Sequence, residues 1–233
     1  MSQRPIFLHA TSRSKVLEGL NGGSAVEVFQ VRMYKTELLE SVSIPDIHES
    51  VVISSQRTIP WLEKKPAFIE LLKSKTVFVV GKQTAALLSE IGIKPYFVSA
   101  SGFNGLKPSL DNRAVTIIGS ETLAKPSGQY LSQNPVNNHL AVYKRVWMHT
   151  ALPCKPEEVD VVLGTSPSIV DGVLKYGISK DVLLLVLGET TRKHAIDLGF
   201  NNVKIGVVGS VIETCEWFVR EGLELVNKRQ GLG

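Results

Sequence analysis

Short apolar runs recur along the whole chain at fairly regular spacing: Ile6–Leu8, Val26–Phe29, Val51–Ile53, Thr76–Val80, Tyr96–Val98, Val115–Ile118, 161–163, Val182–Leu187 and Ile205–Val208. Most show no polar/apolar alternation, which is the pattern of strands buried on both faces of a parallel sheet. Between them lie stretches with helical spacing. Thr84–Ile91 places Ala85, Leu87, Leu88 and Ile91 on one side, and 211–226 does the same with Val211, Ile212, Cys215, Phe218, Val219, Leu223 and Val226. Strand and helix signals alternate, so the pattern predicts an α/β fold with parallel sheets.

One of these strand-helix signals occurs twice. Val80–Gly92 reads VGKQTAALLSEIG, and Leu187–Gly199 reads LGETTRKHAIDLG. Gly81, Thr84 and Gly92 match Gly188, Thr191 and Gly199 at one offset, 188 − 81 = 199 − 92 = 107. Each copy has a further apolar partner upstream, VVISS from Val51 and VVLGTS from Val161. A repeat of that length predicts two similar α/β lobes, and a two-lobed protein offers a cleft for a small molecule.

Two mixed stretches, Arg32–Pro45 and His139–Pro153, interrupt the rhythm. If both are extended they form a two-stranded linker. The first lobe is then discontinuous, built from 1–31 plus 154–233, with 46–138 as the second lobe and 32–45 and 139–153 as linker strands. Two consecutive domains split near residue 125 satisfy the repeat equally well.

Bulk properties narrow the function classes. With 233 residues, 43% hydrophobic and 21% charged, the chain has the composition of an ordinary globular protein. It has no apolar stretch of the ~20 residues a membrane span needs, and its start lacks the long apolar core of a signal peptide, so the expectation is a cytoplasmic protein. Cys154 and Cys215 are the two cysteines, and the five histidines are scattered without ligand spacing. No metal is expected. The net charge of +4 is dispersed rather than gathered into a basic patch with interleaved aromatics, which argues against a nucleic-acid partner. Nothing in the sequence marks an oligomer interface, so a monomer is the default.

GxGxxG, GxxxxGK[ST], GxSxG and HExxH are all missing. What recurs instead is an apolar run ending in Ser, Thr or Gly ahead of a helix: Ser54-Ser55, Gly81-Lys82-Gln83-Thr84, Gly119-Ser120-Glu121-Thr122, Thr165-Ser166-Pro167-Ser168 and Gly188-Glu189-Thr190-Thr191. Two readings fit these turns. Ser and Thr are preferred helix N-caps. Equally, helix N-termini beyond the carboxyl ends of parallel strands bind anions, and several such turns suit a ligand with several carboxylates.

In order and spacing these turns resemble the uroporphyrinogen-III synthase family. The carrying residues are Val51-Val52-Ile53-Ser54-Ser55, the Val80–Gly92 motif, Val142-Tyr143, Thr165-Ser166-Pro167-Ser168, and Leu187-Gly188-Glu189-Thr190-Thr191 followed by Leu198-Gly199. The resemblance implies a cofactor-free hydro-lyase of haem biosynthesis. Such an enzyme closes hydroxymethylbilane, a linear tetrapyrrole bearing eight carboxylates, with inversion of its last pyrrole ring through a spirocyclic pyrrolenine and loss of water. It also implies two lobes joined by a two-stranded linker, which favours the discontinuous arrangement. Carried over by position, Tyr143 is the proton donor to the departing hydroxyl, with a packed linker tyrosine as the other reading. Ser55, Gly81, Lys82, Gln83, Thr84, Ser120, Ser166, Pro167, Ser168, Gly188, Thr190 and Thr191 are the substrate-binding set, Thr191 being equally a helix cap. The chain departs from the family pattern at Ser54, where Thr is usual, and around Ser120-Glu121-Thr122, where a basic residue is usual and Lys125 comes later. Glu189 would repel a polyanion and is expected to point away. A non-catalytic protein that binds a carboxylate-rich small molecule is the competing reading.

Overall fold

The computed structural model describes residues 5–11, 26–208 and 211–222. Among the described residues there are eleven strands: β1 Ile6–Thr11, β2 Glu27–Arg32, β3 Tyr34–Leu38, β4 Ser50–Ile53, β5 Thr76–Val80, β6 Phe97–Ser99, β7 Val115–Ser120, β8 Asn138–Trp147, β9 Val159–Gly164, β10 Leu183–Val186 and β11 Val203–Ile205. The α-helices are α1 Ile59–Glu63, α2 Pro66–Lys73, α3 Lys82–Glu90, α4 Lys107–Leu110, α5 Lys125–Gln133, α6 Pro167–Lys175, α7 Glu189–Asp197 and α8 Val211–Trp217. The chain divides into two compact units, residues 1–35 with 147–233, and residues 36–146. It crosses between them twice, within β3 and within β8.

The first unit holds the five-stranded sheet β11-β10-β9-β1-β2, parallel throughout. Its strands are apolar without alternation because both faces are covered. Ile6, Leu8, Val162, Leu184 and Val186 pack with Ile169, Val170 and Val173 of α6 and Ala195 of α7. Phe7, Val161, Leu163, Leu183 and Leu185 pack on the other face with Cys215 of α8 and Phe218. Burial on both faces draws on the full transfer energy of each aliphatic side chain, about 1.5–3 kcal/mol apiece.

The second unit holds the sheet β3-β8-β7-β4-β5-β6, in which β8, β7, β4, β5 and β6 run parallel. One face packs Val51, Ile53, Val77, Val79 and Ile118 against Trp61, Leu62, Phe68, Leu72 and Leu88. The other packs Val52, Phe78, Val115 and Ile117 against Phe103, Leu106, Leu110 and Tyr130.

The repeated motif forms the same strand-turn-helix in each unit. Gly92 and Gly199 have φ of +82° and +88°, the left-handed conformation that ends a helix and suits glycine. Ile93 N–H then donates to the Leu88 carbonyl, and Phe200 N–H to that of Ala195.

Some expectations are corrected. The last strand is Val203–Ile205 rather than Ile205–Val208, because Thr214 Oγ1 binds both the N–H and the carbonyl of Val207 and takes that backbone out of the ladder. In the first mixed stretch Arg32 ends β2 and Tyr34–Leu38 forms β3, with no strand from residue 39 to 45, and in the second the strand ends at Trp147. The final helix stops at Trp217 and continues as a wider π turn, Phe218–Gly222; Leu223 and Val226 lie outside the described residues.

Candidate active site

Parallel strands align their carboxyl ends, so in each unit the turns that follow them share one sheet edge. In the second unit that edge carries Ser54 and Ser55 after β4, Gly81 to Thr84 after β5, and Ser120 at the end of β7. Tyr143 on β8 is the register partner of Ser120 across a bulge in the ladder. The turn after Ser120 is tied to it, since Glu121 N–H donates to the Tyr143 carbonyl at 2.7 Å. His139 Nε2 meets the Ser120 carbonyl at 3.0 Å. A carbonyl only accepts, so Nε2 carries the proton. Burial pushes the His139 imidazole below the ordinary histidine value, and the bond to Ser120 partly opposes that. A Cβ on Gly119 would lie 2.6 Å from Ser54 Oγ, so Gly119 makes room for that serine at the strand ends.

In the first unit the edge carries Thr165 to Ser168 after β9 and Gly188 to Thr191 after β10. Here Tyr34 of β3 binds Ser168, OH to Oγ at 2.8 Å, and Ser168 Oγ lies 3.3 Å from Ser166 Oγ. The sequence-derived site residues therefore fall into two groups: Ser55, Gly81, Lys82, Gln83, Thr84, Ser120 and Tyr143 in one unit, and Ser166, Pro167, Ser168, Gly188, Thr190 and Thr191 in the other.

The two readings of the turns separate. Capping by hydroxyl holds at Ser55, whose Oγ accepts from Arg57 N–H at 3.2 Å at the start of a short 3-10 turn. Elsewhere it fails. The N-cap of α3 is Gly81 and that of α7 is Gly188, neither with a side-chain cap, and Ser166 at the start of α6 makes no cap bond either. Thr191 is thus not a cap, because the helix has already begun at Glu189. Thr84 and Thr191 are the third residues of their helices, 4% and 7% exposed. The first-turn amides of these helices are left without hydroxyl caps, and such amides with the helix dipole favour an anion. Among the described residues Lys82 has no carboxylate partner, so the α3 turn is also cationic. Glu189 is exposed and held along its own helix by Arg192 at 2.9 Å. Lys125 is the first residue of α5, and it is exposed.

Tyr143 is 4% exposed and packs within the core that holds Ile53, Trp61 and Ile118. Ser120 is 8% exposed, and its Oγ has no partner among the described residues. Sequence reasoning missed Tyr34 and His139. A signal for Tyr34 was present: an apolar residue followed by Tyr-Lys occurs as Met33-Tyr34-Lys35 and Val142-Tyr143-Lys144, close to the repeat offset. No such cue marks His139.

A shallow cavity of about 680 Å³ lies elsewhere in the first unit, among Leu152, Pro153, Cys154, Pro156 and Tyr176. It precedes β9, at the amino ends of the strands, and holds none of the site residues. Burial pushes the Cys154 thiol up, which does not suit a nucleophile. Among the described residues no cluster of His, Cys, Asp and Glu is placed to hold a metal ion, and no helix is long and apolar enough to cross a membrane.

Each unit is thus a parallel α/β layer whose carboxyl edge carries helix starts without a side-chain cap. The family model described as uroporphyrinogen-III synthase HemD matches residues 21–206. The chain belongs to the uroporphyrinogen-III synthase family. No curated protein matches it in sequence. Among solved structures it is similar to uroporphyrinogen-III synthetase from Helicobacter pylori, at 15% identity and a TM-score of 0.64, over 96% of this chain and 100% of that one. A mutant uroporphyrinogen III synthase from Thermus thermophilus gives 12% identity and a TM-score of 0.64, over 97% and 99%. The wild-type enzyme of that organism in another crystal form gives 13% and 0.52 over the same shares. At these identities the likeness shows the fold.

Proposed function

We propose that the chain converts hydroxymethylbilane to uroporphyrinogen III, closing the ring with inversion of the terminal pyrrole and loss of water. The observation that carries this reading, beside the family, is that the starts of α3, α6 and α7 carry no side-chain cap. A substrate with eight carboxylates needs many anion contacts and few acid-base groups. The electron-rich pyrrole expels the hydroxyl of the hydroxymethyl group, and the carbon it leaves is then attacked within the same molecule. The protein's task is to hold the linear tetrapyrrole so that the inverted closure outruns the simple one, which is catalysis by positioning. In this proposal Gly81 to Thr84, Ser55 and Ser120 bind carboxylates from one unit, and Ser166 to Ser168, Gly188, Thr190 and Thr191 bind them from the other. Tyr143 donates a proton to the departing hydroxyl, as a phenol O–H can. The proposal also takes the enzyme to be a cytoplasmic monomer without a nucleic-acid partner; the dispersed charge supports the last point.

The test generates hydroxymethylbilane enzymatically, adds this protein, oxidises the products and separates porphyrin isomers I and III. An excess of isomer III over the uncatalysed control is expected. Isomer I alone, from folded protein, rejects the synthase and leaves a binding protein for carboxylate-rich ligands. In the same assay Tyr143→Phe is expected to lower kcat by roughly a hundredfold with an unchanged melting temperature. Unchanged turnover removes the acid role from Tyr143.

A further inference from the structure

We propose that Arg32 is a substrate-binding residue whose guanidinium takes one carboxylate of the tetrapyrrole at the strand ends of the first unit. The inference rests on the synthase reading and adds to it a cation that lies outside the repeated turns.

Arg32 is the last residue of β2, the outermost strand of the sheet β11-β10-β9-β1-β2. Its register partner on β1 is Thr11, and one residue earlier on β1 Ala10 pairs with Gly164 of β9. Arg32, Thr11 and Thr165 therefore stand level at the carboxyl ends of three adjacent strands. Two strand spacings separate Arg32 from the turn Thr165–Ser168, roughly 10 Å, well inside the span of a linear tetrapyrrole. The backbone at Arg32 is held firmly. Val31 and Met33 on either side are 2% and 0% exposed, and the Thr150 hydroxyl donates to the Arg32 carbonyl at 3.2 Å. Those two neighbours turn into the core against α6, so Arg32 faces the other way, on the side of Val28.

The side chain is half-buried and its Nε–H is enclosed. Among the described residues the guanidinium has neither a hydrogen-bond acceptor nor a carboxylate partner. A charged donor withdrawn from water and left unpaired is unfavourable, and enclosed arginines are ordinarily paired. A carboxylate relieves this, because Nε and one Nη present two parallel donors that match its two oxygens. The described turns along this edge contribute hydroxyls and backbone. Arg192, the nearest cation to them in sequence, is held by Glu189 at 2.9 Å. Arg32 supplies the positive charge that a substrate with eight carboxylates calls for.

Arg32→Gln is expected to raise KM for hydroxymethylbilane roughly tenfold, about one charge-assisted hydrogen bond. It should weaken binding of uroporphyrin III by the same factor in a fluorescence titration. The effect on kcat should be smaller, since substrate and transition state share the contact. Arg32→Lys keeps the charge without the fork and should recover only part of the loss. Because the native guanidinium has an unpaired donor, the melting temperature of both variants should hold or rise, whereas a merely structural arginine would lower it. KM and uroporphyrin affinity within twofold of wild type in Arg32→Gln overturn the proposal. So does a loss of affinity that tracks a fall in melting temperature. Wild-type protein that yields only isomer I rejects the synthase, and the uroporphyrin titration still decides Arg32. A tenfold weakening in Arg32→Gln then keeps it as a carboxylate ligand, while equal affinity, or no binding by wild type, removes it.

Discussion

Burial acts differently on Tyr143 and on Cys215. Tyr143 is packed on its ring, while its backbone carbonyl fastens the turn that follows β7; burial there orients a polar group at a strand end. Cys215 sits among Phe7, Leu163 and Phe218 in the first unit. Desolvation there pushes its thiol from 9.0 up to about 12, with Glu216 adding to the shift. The raised value has a consequence for stability. Between pH 9 and 12 the unfolded chain releases this proton and the folded chain keeps it. The contribution is thus fully present below pH 9 and is lost as pH rises toward 12. Denaturant unfolding across that window should show stability falling with pH in wild type and falling less steeply in Cys215→Ala. Parallel slopes would show that Cys215 is not the group responsible. The buried thiol should also resist a thiol reagent in native protein, with Cys154 labelled first.

At the scale of elements, the repeat made Gly81 and Gly188 look equivalent, and the structure separates them. Gly81 has φ +87° and ψ 138°, a region that side chains strain to enter. Gly188 has φ −179° and ψ 165°, extended backbone open to any residue, and a Cβ there would meet nothing within 4 Å. Gly81→Ala should therefore cost about 1–3 kcal/mol, whereas Gly188→Ala should stay within about 0.5 kcal/mol of wild type. Equal losses in chemical unfolding would contradict the difference in backbone. The pair also marks how far sequence reasoning reached. Thr76–Val80, Val115–Ile118 and Val182–Leu187 were legible as strands because each is buried on both faces and reads as one apolar run. The turns after them were legible as candidate sites because the repeat drew attention to Gly, Ser and Thr at strand ends. Which residue caps each helix was not legible, since Ser or Thr near a helix start looks the same whether it precedes the first turn or lies inside it. Tyr34 was hidden for another reason: its bond to Ser168 joins positions 134 apart, and local pattern says nothing of pairs that only the fold brings together.

For the molecule as a whole, the division of the chain is unequal in kind. The unit of residues 36–146 is continuous and has both faces of its sheet covered by its own helices. The other is assembled from both ends, so that Ile6 pairs with Val159 only after the intervening segment has been spanned. A unit with its own core and no missing strand should fold alone. A fragment from Tyr34 to Trp147, which retains β3 and β8 whole, should therefore melt cooperatively with the far-ultraviolet signature of an α/β protein. A broad, non-cooperative melt would show that its stability depends on the rest of the chain. The same fragment separates folding from function. It keeps Tyr143, Ser120 and Gly81 to Thr84, but loses Ser166 to Ser168 and Gly188 to Thr191. Since the proposed reading needs the turns of both units, a folded fragment should give no isomer III above the control. A fragment that still directed closure to isomer III would place the whole of the positioning in the second unit, and the turns of the first would then have to be explained by affinity alone.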